Sequence, residues 1–159
     1  MPETAAPGSH RPPYGEPYQR LASRVLPTTA DHDGCHDRAM AFSVLVVDDD
    51  PTFVTLAARV LAEIGAEVVA TAEEPPQALA AAHATMPDGA LVDVGLPGKE
   101  GIDLAYRLAT LPWQPRVVLV SADGDAGCAV EADAREPKLA FLPKDQLANG
   151  GLRRVLMSP

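Results

Sequence analysis

Five short apolar runs alternate with segments of helical periodicity along most of the chain. The run at 42–47 is continuous and rich in β-branched residues, a pattern typical of a strand buried on both faces of a sheet. Similar runs predict four further strands, at 67–71, 90–93, 116–120 and 139–142. The apolar pattern therefore predicts a sheet of five strands.

The segments between these runs predict five helices. In the first, Pro51 opens the helix and Gly65 closes it. Its apolar stripe is predicted to consist of Val54, Leu56, Ala57, Val60, Leu61 and Ile64. The second helix is predicted over 77–85, opened by Pro75 and Pro76, and the others over 102–111, roughly 125–135 and roughly 149–157. Strands that alternate with helices predict an α/β fold with a doubly wound parallel sheet, and the chain is too short for a barrel.

Composition and charge narrow the class of protein. Hydrophobic residues make up 47% of the 159 residues and aromatic residues only 4%, so the core must consist of Val, Leu and Ala. The net charge is -9, and residues 42–159 carry 9 basic and 17 acidic side chains, which argues against direct binding to nucleic acid. No apolar run has membrane-spanning length and no signal peptide opens the chain, so we expect a cytoplasmic protein without a membrane contact.

Residues 1–41 differ in composition from the rest of the chain. They contain six of the sixteen prolines and no periodic apolar pattern, which predicts a disordered N-terminal arm. His32, Cys35 and His36 in this arm do not have the spacing of a standard zinc site. Cys35 and Cys128 are predicted to be reduced thiols. Met40 lies two residues before the predicted first strand and would serve as an alternative start of translation.

Polar side chains stand where four of the predicted strands end. Asp48 and Asp49 follow the first strand, Asp93 ends the third, Ser121 the fourth and Lys144 the fifth. Parallel strands end at the same edge of a sheet, where ligands bind in open α/β folds. Each residue alone has an ordinary structural interpretation. Together, crowded carboxylates, an ammonium group and a hydroxyl suit a phosphoryl group held against Mg²⁺.

These strand ends resemble the receiver domain of bacterial two-component response regulators, in the stand-alone, chemotaxis-regulator-like form. The matching segments are Val46-Val-Asp-Asp-Asp-Pro51, Leu91-Val-Asp-Val-Gly-Leu-Pro-Gly-Lys-Glu-Gly101, Val118-Leu-Val-Ser-Ala122 and Phe141-Leu-Pro-Lys144. The resemblance covers residues 42–157. It implies a flavodoxin-like (βα)5 fold with strand order 2-1-3-4-5.

The resemblance also implies a metal site and a phosphoacceptor. Asp93 corresponds to the residue that accepts the phosphoryl group. Asp49 and Asp93 would bind Mg²⁺ directly, Asp48 would act through a water molecule, and the backbone carbonyl of Gly95 would complete the protein's share of the ligands. We therefore expect Mg²⁺ as the cofactor, and no enzymatic activity beyond the protein's own phosphorylation and dephosphorylation.

Further roles follow from the same resemblance. Ser121 and Lys144 would contact the phosphoryl oxygens, and Ser121 and Phe141 would form the conformational switch. The phosphoryl donor would be a sensor histidine kinase or a phosphotransfer protein. The output surface, built from the fourth helix, fifth strand and fifth helix, would carry Arg153 and Arg154 and would bind a downstream protein or a second copy of the domain.

The segment at Lys144 departs from the family pattern. The family usually has proline directly after this lysine, whereas here Pro143 precedes it and Asp145 follows it. The resemblance therefore does not extend to the cis peptide bond that is typical of this position.

Two other functions fit parts of the sequence. Asp48-Asp-Asp-Pro-Thr52 matches the D-x-D-x-T signature of haloacid-dehalogenase-type phosphatases, with Asp48 as nucleophile and Asp50 as general acid. That interpretation leaves Asp93 without a purpose, and only Asp145 is available where the family needs further acids after the lysine. The other alternative is a docking module with the same residues that is never phosphorylated.

Overall fold

The computed structural model describes residues 41–157, which form one parallel sheet with helices on both faces. The predicted arm, with His32, Cys35 and His36, falls almost wholly outside the described residues and stays a prediction. The five strands are β1 (Phe42–Val47), β2 (Ala66–Ala72), β3 (Gly89–Asp93), β4 (Arg116–Ser121) and β5 (Ala140–Pro143). Their order is β2-β1-β3-β4-β5 and every neighbouring pair is parallel, which confirms the predicted flavodoxin-like topology.

Five α-helices connect or follow the strands. They are α1 (Pro51–Glu63), α2 (Pro75–Thr85), α3 (Gly101–Ala109), α4 (Ala126–Ala132) and α5 (Gly151–Met157). Within the described residues no helix is long and apolar enough to cross a membrane.

Alternate residues of the central strands face two separate cores. Val44 and Val46 of β1 lie in one core with side chains of α1 and α5, whereas Leu45 lies in the other core with side chains of α2 and α3. All five residues of β3 are buried. A strand that is covered on both faces has a continuous run of apolar residues, and for this reason β1 and β3 could be predicted from the sequence.

The buried face of α1 differs from the predicted stripe. Leu56 is 41% exposed, whereas Phe53, which was not assigned to the stripe, is only 6% exposed. Positions 53, 57, 60 and 61 follow the helical repeat and are the buried residues of this helix. The helix begins as predicted, with Pro51 in its first turn and with the Asp50 side chain accepting a hydrogen bond from the backbone N–H of Thr52 at 2.9 Å.

Several element boundaries differ from the predictions for local reasons. Helix α2 starts at Pro75 because both prolines fit its first turn. Residues Lys144–Asn149 form 3-10 turns, and Gly150 has φ 76°, so α5 begins only at Gly151. Helix α4 spans Ala126–Ala132 and is shorter than the predicted range of roughly 125–135.

Among the described residues the cis peptide bond precedes Pro137, and none is present at Lys144.

Candidate functional site

Three carboxylates meet at the carboxyl edge of the sheet. One oxygen from each of Asp48, Asp49 and Asp93 lies within 4.8 Å of the others. Asp48 is 1% exposed and Asp93 6% exposed, while Asp49 is exposed to solvent. Two carboxylates are therefore fixed by their surroundings, and the third completes the group from the solvent side.

Backbone hydrogen bonds hold the two buried carboxylates in place. Oδ1 of Asp48 accepts a hydrogen bond from the backbone N–H of Asp50 at 2.9 Å, and the backbone N–H of Asp48 continues the sheet by donating to the carbonyl of Ala72. Oδ1 of Asp93 accepts a hydrogen bond from the backbone N–H of Gly95 at 3.1 Å. Both side chains are thus oriented by the turns that follow their own strands.

Lys144 brings a positive charge to the same group. Its Nζ lies 2.6 Å from Oδ2 of Asp48 and 3.5 Å from Oδ2 of Asp93, and its side chain is 17% exposed. Apart from this ion pair, no group among the described residues forms a hydrogen bond with Oδ2 of Asp48. Because one ammonium faces three carboxylates, the site keeps an excess of negative charge.

Burial dominates the electrostatics of Asp48. The loss of solvent raises the pKa of this carboxyl above its usual 3.8, and the nearby charge of Asp93 adds to the rise. Hydrogen bonds from Lys144 and from the backbone of Asp50 act in the opposite direction without cancelling the effect. The site therefore holds a carboxylate whose charge is only partly compensated.

The donor set fits a hard divalent cation. Magnesium is bound in proteins by oxygen ligands, often one or two carboxylates with water completing the shell. The grouped oxygens of Asp48, Asp49 and Asp93, of which Asp49 faces solvent, match that preference. A cation here would also relieve the repulsion between like charges.

Ser121 and Phe141 lie on the neighbouring strands. Ser121 is 6% exposed at the end of β4, and its Oγ accepts a hydrogen bond from the backbone N–H of Asp123 at 3.0 Å. Phe141 in β5 is partly buried against the core formed with α3. Among the described residues, neither side chain makes a hydrogen bond or an ion pair with the three carboxylates. Their predicted roles therefore depend on their strand-end positions and on the resemblance.

Asp50 has a different environment from the clustered acids. Its carboxylate is exposed and is engaged in capping α1 through the backbone N–H of Thr52. It does not belong to the group formed by Asp48, Asp49 and Asp93. This arrangement gives no support to Asp50 as the general acid of a dehalogenase-type phosphatase.

Two residues next to the site were not singled out by the sequence interpretation. A Cβ atom built on Gly101 would collide with the carbonyl oxygen of Asp93 and would lie 2.9 Å from Cα of Val94. The ring of Phe53 lies under Lys144, with 4.3 Å between Nζ and the ring centroid. The helical repeat of α1 contains the signal for Phe53, because Phe53 lies four residues before Ala57, which was assigned to the stripe correctly.

Comparison with known proteins gives a consistent result. The family model described as response regulator receiver domain matches residues 44–146. An uncharacterised response regulatory protein of Vibrio cholerae is 33% identical over 111 residues, which are 68% of this chain and 42% of that protein. The chemotaxis protein CheY of Bacillus subtilis is 30% identical over 93 residues, which are 58% of this chain and 78% of that protein.

A solved structure extends the similarity to the fold. The signal receiver domain of the response regulator NarL from Mycobacterium tuberculosis is 28% identical and superposes with a TM-score of 0.59, covering 74% of this chain and 98% of that domain. The chain covers only 42%, 40% and 52% of the lengths of three of the curated relatives that it matches. The similarity is therefore to one domain of those longer proteins.

Proposed function

This chain belongs to the response regulator receiver domain family, and we propose that residues 42–157 form a receiver domain in which Asp93 accepts a phosphoryl group. One observation carries the proposal: the carboxylate of Asp93 lies 3.5 Å from the ammonium of Lys144 and beside two further carboxylates at the edge where β3 ends. The donor would be a sensor histidine kinase or a phosphotransfer protein of the cytoplasm.

The transfer uses Asp93 and Lys144 of this site, together with a bound Mg²⁺. A carboxylate oxygen of Asp93 attacks the phosphorus of a phosphohistidine, the P–N bond breaks, and the imidazole leaves with the electron pair. Lys144 provides a fixed positive charge next to the oxygen that reacts. The product is an acyl phosphate on Asp93. Water later hydrolyses it and restores the carboxylate.

Mg²⁺ is the cofactor that we propose for this step. Asp49 and Asp93 would bind it directly, Asp48 through a water molecule, and the carbonyl of Gly95 would complete the set. When bound, the ion would neutralise charge on the phosphoryl oxygens. The oxygen-only donor set and its excess negative charge support this assignment.

The signal leaves the domain through a change at β5 and its neighbours. The hydroxyl of Ser121 would turn toward a phosphoryl oxygen, and the ring of Phe141 would move with it, so that phosphorylation shifts a population between two arrangements. Arg153 and Arg154 are exposed on α5, and they give this acidic domain a small basic surface. We expect this surface to bind a downstream protein or a second copy of the domain.

Incubation with acetyl phosphate and Mg²⁺ tests the phosphoacceptor directly. Intact mass spectrometry should show one added phosphoryl group on the wild-type chain and none on Asp93→Asn. Asp125→Asn is a matched control, because Asp125 is exposed and lies outside the carboxylate group. Phosphorylation of Asp93→Asn at the wild-type rate would refute the assignment.

The same experiment separates the alternatives. A docking module that is never phosphorylated would stay folded and gain no mass with any phosphodonor. A dehalogenase-type phosphatase would instead turn over small phosphate esters and would lose that activity in Asp48→Asn. The family match and the capping role of Asp50 favour the receiver.

Beryllofluoride, which mimics the acyl phosphate without turnover, tests the output surface. Amide hydrogen exchange should change around Phe141 and Leu152 when beryllofluoride and Mg²⁺ are added to the wild-type protein. Asp93→Asn is the control, because it lacks the carboxylate to which beryllofluoride is expected to bind. Identical exchange at both positions in the two states would exclude this surface as the output.

A further inference from the structure

The ring of Phe53 forms one wall around the ammonium group of Lys144. The centroid of the ring lies 4.3 Å from Nζ, within the range of a cation–π contact. Phe53 is 6% exposed and packs in the core between α1 and the sheet, so its position is fixed by its neighbours. The ammonium therefore rests on an immobile aromatic surface rather than in open solvent.

Three different elements contribute to the surroundings of Nζ. Asp48 follows β1, Asp93 ends β3, and Phe53 lies in the first turn of α1. Lys144 itself begins the 3-10 turns after β5, and Leu147 from the same segment is fully buried in the core that holds Phe53. The backbone of Lys144 and the ring are thus anchored in one packed cluster.

The ring attracts the ammonium in a different way from the carboxylates. A lysine side chain has four rotatable bonds, and holding it in one place costs conformational entropy. The two carboxylates offset that cost only while they carry no other cation. An aromatic face attracts the ammonium through its quadrupole and adds no charge for which a metal ion competes. We therefore expect the contact with Phe53 to persist when a divalent cation occupies the carboxylates.

We propose that Phe53 is a positioning residue for Lys144, holding its ammonium group beside Asp93 through the face of the aromatic ring. The inference rests on the proposed function, since it concerns how the lysine is placed for the phosphoryl group. The contact between the ring of Phe53 and the ammonium of Lys144 can be measured without metal or phosphate.

The geometric test uses the ring current of Phe53. The sequence contains three lysines, Lys99, Lys138 and Lys144, so protein made with [¹³Cε]lysine gives three methylene signals, and Lys144→Arg assigns one of them. In metal-free wild-type protein the Lys144 signal should lie upfield of the other two. Phe53→Leu should abolish the shift, and the Lys138 signal should stay where it is.

The functional test varies the ring without changing its shape. Phenylalanine with one, two or three fluorine atoms, placed only at position 53, weakens the quadrupole stepwise. The rate of phosphorylation by acetyl phosphate should fall at each step, and Phe53→Leu should lower it about 5-fold, as expected for loss of one partly desolvated cation–π contact. Phe53→Trp, which keeps an aromatic face, should retain more of the rate than Phe53→Leu.

Phe42→Leu is the matched control. Phe42 packs against the same core but begins β1, at the opposite edge of the sheet from the carboxylates. We expect this variant to lose stability without a change in the Lys144 signal or in the rate measured well below its unfolding temperature. A rate loss in Phe42→Leu equal to that in Phe53→Leu would overturn the proposal and indicate a general packing effect.

The outcomes distinguish this inference from the proposed function. If wild-type protein forms no acyl phosphate, the proposed function fails, whereas the metal-free Lys144 signal still decides whether the ring holds the ammonium. If wild-type protein is phosphorylated and the fluorinated series leaves the rate unchanged, only the positioning role of Phe53 is refuted. Absence of the upfield shift refutes the contact itself.

Discussion

Gly127 of α4 lies against the ring of Phe141 in β5, so closely that a Cβ atom built on Gly127 would come within 2.9 Å of Cε1 and 3.1 Å of Cδ1. Glycine is otherwise unfavourable inside a helix, by about 1 kcal/mol relative to alanine. The missing side chain leaves the space in which the inner edge of the Phe141 ring rests. The position of the predicted switch residue thus depends on a residue of the neighbouring helix.

Gly127→Ala should therefore move the ring of Phe141 toward solvent. The ring is only partly buried, so it can shift away from an added methyl group, and the gain in helix propensity, which is below about 1 kcal/mol because Gly127 lies in the first turn of α4, offsets part of the lost packing. We expect a changed chemical shift for labelled Phe141 and little change in stability. Gly124→Ala is the control, because an added Cβ there meets nothing within 4 Å. An unmoved Phe141 signal in Gly127→Ala would contradict the prediction.

Gly101 at the start of α3 tolerates no side chain. An added Cβ would collide with the carbonyl oxygen of Asp93 and would approach the backbone of Val94 to 2.9 and 3.0 Å, and neither backbone segment can move without displacing the end of β3. We expect Gly101→Ala to lower the free energy of unfolding by about 3 kcal/mol, the upper part of the range for overpacking. Urea denaturation would measure the loss.

Gly65→Ala provides the comparison for Gly101→Ala. Gly65 has φ 83°, and an added Cβ there meets nothing within 4 Å, so only backbone strain is expected. That strain costs about 1 kcal/mol. If the two variants lost equal stability, contact with the end of β3 would not be the cause of the effect at Gly101.

The strand pattern and the strand-end residues were predictable from the sequence, whereas several side-chain contacts were not. β1 and β3 are covered on both faces, so their apolar runs are continuous and their ends are marked by Asp48 and Asp93. Leu56 was predicted to lie in the buried stripe of α1 and Phe53 was not, whereas Leu56 is exposed and Phe53 is buried. The error arose because apolar residues at both edges of the stripe fit a helical repeat.

Contacts between distant segments leave no local signal. Gly127 meets Phe141 across 14 positions, and Gly101 meets the carbonyl of Asp93 through a turn that contains Gly98 at φ 84°. Both contacts depend on how close two backbones come, which no hydrophobic pattern encodes. The ion pair between Lys144 and Asp48 is an intermediate case. The strand ends predicted that both residues lie at the same edge of the sheet, whereas their 2.6 Å separation depends on the 3-10 turns that begin at Lys144.

Arg135 connects α3 with the segment that follows α4. Its guanidinium lies 2.6 Å from Oδ1 of Asp103 and 2.7 Å from Oδ2 of Asp133, and it stacks 4.1 Å over the ring of Tyr106. Hydrogen bonds from Arg135 lower the pKa of Asp133 from 3.8 to about 2. The folded state therefore binds fewer protons at this site than the unfolded chain does.

The stabilisation from the ion pair between Arg135 and Asp133 should disappear at low pH. It is fully present above pH 3.8 and is lost as the pH falls through about 2, because the unfolded chain binds the proton first. The stability difference between wild type and Arg135→Ala should shrink over that interval, as measured by urea midpoints. Arg135→Lys should behave more like alanine than like arginine, since lysine lacks the planar fork. A constant difference at all pH values would show that stacking on Tyr106 dominates.

The pKa of Asp48 shifts in the opposite direction from that of Asp133, so Asp48 has the opposite effect on the pH dependence of stability. Burial raises its pKa above 3.8, so the folded state binds more protons than the unfolded chain, and stability falls as the pH rises through the interval above 3.8. Ionising this carboxylate is costly because Asp48 is 1% exposed, and Lys144 is its only ion-pair partner among the described residues. The neutral amide of Asp48→Asn should remove that cost.

In EDTA, Asp48→Asn should therefore unfold at a higher temperature than wild type, by about 4 °C for each kcal/mol gained. Lys144 would keep Asp93 as its charged partner at 3.5 Å, so the variant leaves no isolated ammonium. Added Mg²⁺ should stabilise the variant less than wild type, because one carboxylate of the site is gone. Asp49→Asn is the control: Asp49 is exposed, so its loss should reduce the Mg²⁺ effect without raising the unfolding temperature in EDTA. A lower unfolding temperature for Asp48→Asn in EDTA would mean that the ion pair with Lys144 outweighs the desolvation of the carboxylate.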